Sequence, residues 1–196
     1  MNMRSSICLA SAAVAVFAGL FALNATAQGP NRSSEVLTLV DLDGTKVQMS
    51  FDDLRKLPQE MEEECICVGH SSGFIGIFDY SGVRLSEILE KAKAAKGASE
   101  YRQENMYIVF KGTDGYQTIA SWTELTQTAE GRRVLIAIDK DAAPLPPLEG
   151  KFRVVLPSDK WVGRSVKCLE TIEIRCADGV VDKKKDDKKK DDKKKQ

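Results

Sequence analysis

Two cysteines one residue apart, with a histidine three residues later, carry the most chemistry in this sequence. They lie in EEECICVGHSSGF, residues 62–74, as Cys65, Cys67 and His70, the single histidine of the 196 residues. A thiolate is a soft donor that can ligate a redox-active metal, or two thiols can pair as a disulfide. C-x-C-x-x-H would also offer zinc three ligands, although structural zinc sites space their cysteines by two to four residues. On one strand the two thiols share a face about 6.6 Å apart, at the far edge of disulfide reach. Cys168 and Cys176 lie in what reads as a single strand, about 26 Å apart. Any bridge should therefore join one early cysteine to one late one.

The compartment decides how these thiols are read. Residues 1–27 have the form of a cleaved leader: Arg4, the apolar run ICLASAAVAVFAGLFAL, which contains Cys8, and ATA before Gln28. The expected protein is exported, periplasmic or secreted, with no membrane span once the leader is removed, and disulfides persist there. The far end, DKKKDDKKKDDKKKQ, has no apolar residue and reads as a disordered tail over 182–196. Its nine lysines against five aspartates make it +4; the chain totals zero, so the remainder carries −4. The interleaved aspartates dilute the tail's field, and no nucleic-acid partner is expected. Residues 28–181 are long enough for one domain with a real core.

The elements that must position the thiols follow from pattern. EVLTLVDLDGTKVQMS reads as a hairpin turning at Asp43-Gly44. Ser50 caps a short helix, FDDLRKL, stopped by Pro58. ECICVG is strand-like. GVRLSEILEKAKAAKG is the clearest helix, with Leu85, Ile88, Leu89 and Ala92 at helical spacing and Gly97 as a stop. MYIVFKG, a TDGY turn and QTIAS follow, then a short helix WTELTQTA, a buried-type strand RVLIAID, a proline-rich loop APLPPLEG and a strand KFRVVLP. In SVKCLETIEIRC, Ile172, Ile174 and Cys176 alternate with Thr171, Glu173 and Arg175, a sheet with one wet face. Many strands with short inserted helices make an α+β domain of mixed β-sheets.

Several common chemistries lack their signatures: there is no P-loop and no dinucleotide glycine fingerprint, and His70 stands without a nucleophile elbow. What the order of segments does resemble is the molybdopterin-binding domain of the sulfite oxidase family. GVRLSEILEKA, VFKGTDGYQTIASWTEL, VLIAI, PL…GKFRVVLPSD and GRSVKCLETIEI occur in the family's order, after an opening VLTLVDLDGTKVQMSFDDLRKLP, over about residues 35–176.

The resemblance implies a sulfite-oxidase-type fold and a molybdenum–molybdopterin cofactor. It implies oxygen-atom or electron transfer at a molybdenum ligated by a cysteine thiolate, with Cys67 the best match and Cys65 the runner-up. It assigns the cofactor's phosphate to Gly163, Arg164, Ser165 and Lys167 in WVGRSVK, where a close backbone, a hydroxyl and two cations suit an anion. His70 is a further contact for cofactor or substrate. The implied partners are a small-molecule oxidant or reductant and an electron-transfer partner. The departures are CVGH where the family has CAGN, Tyr80-Ser81 before the GV.L helix in place of a tryptophan, and Cys168 where a tryptophan follows the lysine. They leave open a cofactor-free binding or accessory module of the same fold, its cysteines used in a disulfide.

Overall fold

The computed structural model describes residues 33–95 and 103–177. The leader, Cys8, the Gly97 helix stop and the Lys/Asp tail lie outside the described residues.

Alternating apolar residues build the first sheet. β1 (Val36–Val40) and β2 (Lys46–Ser50) form the expected hairpin, and Gly44 at the turn takes φ +81°. Ser50 then caps α1 (Phe51–Arg55). Its hydroxyl accepts the Asp53 N–H, and the Asp53 carboxylate takes the Ser50 N–H in return, a capping box. β1 lies parallel to β10 (Leu169–Cys176), which pairs antiparallel with β5 (Met106–Gly112); β6 (Gln117–Ser121) closes the far edge. Leu37, Leu39, Ile108, Phe110, Ile172 and Ile174 turn inward from this sheet into the main core.

The second sheet differs from the sequence expectation at its start. β3 runs over Glu60–Gly69, and the Gly/Ser-rich segment after it is only the turn of a hairpin. It leads into β4 (Gly73–Arg84), a twelve-residue strand that takes in Gly82, Val83 and Arg84. The helix expected to start there is α2, Leu85–Lys91. The cause is packing: a Cβ on Gly82 would stand 2.1 Å from the Ile136 carbonyl oxygen, so the glycine serves a close strand contact. β4 pairs with β7 (Leu135–Lys140), whose other edge carries β8 (Ala143–Pro144) and β9 (Arg153–Val155). α3 (Trp122–Gln127) follows β6, capped by Ser121. β10 starts four residues later than the pattern suggests, because Val162–Arg164 forms a 3-10 turn and Cys168 adopts φ +49°.

The apolar run of β7 is buried on both faces. Ile136 and Ile138 enter the main core, while Leu135 and Ala137 face a smaller cluster with Cys65, Cys67, Tyr80, Leu145 and Val155. That smaller core lies under the β3–β4 hairpin and holds both early thiols. Among the described residues, no helix is long and apolar enough to cross a membrane.

Candidate functional site

β3 sends Cys65 and Cys67 to the same, inner face, 7% and 6% exposed. Their surroundings differ. Cys65 Sγ donates to the Glu62 carbonyl oxygen at 3.6 Å. Burial first, then the neighbouring Glu62 charge, pushes this thiol up to about 11. The Glu62 carboxylate is buried and held by Arg84 and Arg133. Cys67 Sγ instead faces the Tyr80 hydroxyl at 4.0 Å.

The tyrosine's role is set by what lies behind it. Arg153 Nη1 donates to Tyr80 Oη at 2.8 Å. A guanidinium only donates, so this bond uses the phenol oxygen as acceptor; between that hydroxyl and the Cys67 thiol either group can be the donor. Arg153 also holds Glu149, and Lys140 Nζ stands 3.3 Å from the other Glu149 oxygen. Burial raises Glu149, but the two cations outweigh it and hold the carboxyl below its usual range. Arg153 Nε is buried without a hydrogen-bond partner. Two cations against one carboxylate make this a net-positive interior, adjacent to one sulfur.

The hairpin and the 162–167 turn are brought together. Val162 packs on the smaller core beside the two thiols, and His70, at the exposed hairpin turn, sets its ring edge-on to Trp161 at 5.6 Å between centroids. Gly163 has no atom within 4 Å of where a Cβ would be. Its carbonyl accepts the Tyr116 hydroxyl at 2.6 Å, and the Arg164 carbonyl accepts Thr118 Oγ1 at 3.2 Å. The expected turn at Asp114-Gly115-Tyr116, with Gly115 at φ +82°, thus tethers the other turn. Arg164 spends its guanidinium on Asp159 and Glu124, which push it up, Asp159 most. Ser165 is buried and accepts the Leu156 N–H at 3.4 Å, while Lys167 is exposed.

Between β3 and the 157–160 loop opens a cleft of about 350 Å³, lined by Glu63, Glu64, Cys65, Ile66, Arg133 and Lys160 among others. Cys65 stands on its wall; Cys67 is not part of that lining. Cys65, Cys67 and Cys176 are unbridged, and Cys168 Sγ lies 3.8 Å from the Leu148 carbonyl oxygen. No group of three His, Cys, Asp or Glu among the described residues is placed to hold a metal by itself.

Pattern reading passed over Tyr80, Arg153, Glu149 and Lys140. The available signal was a lone arginine inside the apolar run KFRVVLP, which a buried strand tolerates only with a partner.

The sequence profile of the oxidoreductase molybdopterin-binding domain family matches residues 30–179. No curated protein matches the chain. Among solved structures, the sulfane dehydrogenase SoxCD from Paracoccus pantotrophus has a similar fold, with a TM-score of 0.58 at 18% identity. The likeness covers 75% of this chain and 39% of that one, so this chain spans well under half of that chain's length.

Proposed function

The chain belongs to the oxidoreductase molybdopterin-binding domain family, and from that premise we propose that it is an exported redox domain that holds molybdenum–molybdopterin, with Cys67 as the metal's protein ligand. Gly163, Arg164, Ser165, Lys167 and His70 would surround the cofactor. Bound there, the metal would supply oxygen-atom and electron transfer.

The single observation that carries this reading is the contrast between the two thiols. Cys65 keeps its proton on a backbone carbonyl beside a carboxylate. Cys67 has the Tyr80 hydroxyl 4.0 Å from its sulfur and two cations against one carboxylate behind that hydroxyl. The two sulfurs thus sit in different polar surroundings: a carbonyl and a carboxylate at the first, and a hydroxyl backed by two cations and one carboxylate at the second.

The donor set has a metal end and a phosphate end. At the metal end the donor chemistry fits, a soft thiolate with a polar outer partner, while Cys67 is 6% exposed and the adjoining cleft is walled by Cys65, so a metal on Cys67 requires the hairpin to shift. At the phosphate end, Gly163 leaves room for close backbone approach and Lys167 is exposed. Arg164 meets an anion by giving up a carboxylate, and Glu124, 39% exposed against 15% for Asp159, is the one to yield. The same double pairing favours a second reading, a cofactor-free accessory module in which Glu124 and Asp159 stand permanently where a phosphate would.

Metal analysis of protein made in a molybdopterin-producing host, together with a count of free thiols, separates the two. The first reading expects molybdenum near one per chain and Cys67 outside any disulfide. A metal-free protein with Cys67 oxidised contradicts it and leaves the accessory module.

A further inference from the structure

We propose that the outer face of the β3–β4 hairpin is a docking surface for a small basic protein with an apolar contact centre, the surface chemistry of a soluble electron carrier. The inference rests on the redox reading for the partner's class, and on the following geometry for the surface.

The hairpin shows its apolar residues to solvent. Met61, Ile66, Phe74, Ile75 and Ile77 are 50%, 62%, 66%, 50% and 55% exposed. Ile66 lies opposite Ile77, and Val68 opposite Phe74, so most of these residues form one patch instead of scattered points. β7 pairs with β4 only from Tyr80 onward, so the distal half of the hairpin has no third strand. An isolated two-stranded ribbon is marginal in water, and one that also exposes isoleucines gains by being covered.

Charge selects the occupant. At the base of the patch stand Glu63, Glu64, Asp79 and Asp141, all exposed. The Asp79 carboxylate takes the Glu64 N–H at 2.8 Å, and the Asp141 carboxylate takes the Asp79 N–H at 2.9 Å, which holds these acids side by side. The neighbouring cations are engaged elsewhere: Arg133 with Glu62, Lys140 with Glu149, and Lys160 above the Trp161 ring at 5.0 Å. A second copy seated on this face would set acids against acids across a two-fold axis. The chain's own Lys/Asp tail has no apolar residue with which to cover isoleucines. A partner with a basic rim around an apolar centre satisfies both features. The patch is also continuous with the site, because Ile66 and Val68 line the same cleft as Cys65. A docked carrier would stand one strand's thickness from the thiols.

The test is an NMR titration of the isotope-labelled protein, with and without molybdenum, against a basic c-type cytochrome. The same cytochrome with its lysines acetylated is the control. Amide shifts are expected along residues 63–68 and 74–79, with binding that weakens as salt rises. Glu63→Lys with Glu64→Lys should weaken it about tenfold, and Ile66→Ser with Ile77→Ser should weaken it further without unfolding the domain. Equal binding of the acetylated cytochrome, shifts confined to other surfaces, or a ribbon-mediated dimer in sedimentation would each overturn the proposal. If no preparation holds molybdenum yet the ribbon still binds, the cofactor reading fails and the docking surface stands. If loaded protein shows no binding, the reverse holds.

Discussion

The two hydrophobic clusters share sheet strands and differ in what they bury. The main core between the sheets is apolar throughout, from Leu37 and Leu39 to Ile172 and Ile174. The smaller core under the hairpin buries two thiols and abuts a phenol, a guanidinium and a carboxylate. Burying ionic groups is poor value for stability: a well-packed apolar replacement is often as good or better. The first cluster therefore holds the fold, and the second places charge and a hydroxyl next to one sulfur at a cost the fold absorbs.

That contrast can be broken most forcefully at Glu149. Glu149→Gln leaves Arg153 and Lys140 without their carboxylate and should cost about 3–5 kcal/mol in denaturant unfolding. Adding Arg153→Met should recover most of the loss; a double variant as unstable as the single would mean that the network holds the fold after all. The pH dependence follows the same residue. Its folded pKa is held low, so its stabilisation is present above the ordinary carboxylate range and disappears as pH falls through the depressed value. The double variant should lack that acid limb.

In the main core, Ile172→Ala should cost about 3 kcal/mol by cavity formation, with no rescue by any charge change. Tyr80→Phe is smaller, about 1 kcal/mol, because it removes one acceptor from Arg153 and leaves the ring in place. Cys65 gives a weaker, alkaline signature. Its thiol is raised from 9.0 to about 11, so its contribution is complete below the unfolded value and is lost as pH rises between the two. Unfolding midpoints measured across that window should fall with pH, and Cys65→Ser should flatten the fall. Least of all, Ile66→Ser with Ile77→Ser should stay within about 0.5 kcal/mol, because both side chains are exposed.

Much of the first sheet was legible in the sequence because its signals are local. The Asp43-Gly44 turn, the Ser50 cap and the alternation of Ile172 and Ile174 each act within a few residues. β4 was not legible. Its distal half points isoleucines outward, Gly76 and Gly82 interrupt the pattern, and its end merges with a good helix sequence. The order of motifs pointed to the β3 thiols and the 163–167 turn as parts of one site, but not to what surrounds Cys67. Tyr80 and Arg153 are 73 residues apart in the chain, and no local pattern announces such a pair. Nor could spacing show that Arg164 is already held by Glu124, 40 residues away.

The central claim is that the two β3 thiols differ in kind, and molybdenum content of paired serine variants tests it most directly. In a molybdopterin-producing host, Cys65→Ser should retain the metal at the level of the unaltered protein, and Cys67→Ser should lose it while remaining folded by circular dichroism. Equal metal in both variants, or loss confined to Cys65→Ser, would contradict the assignment.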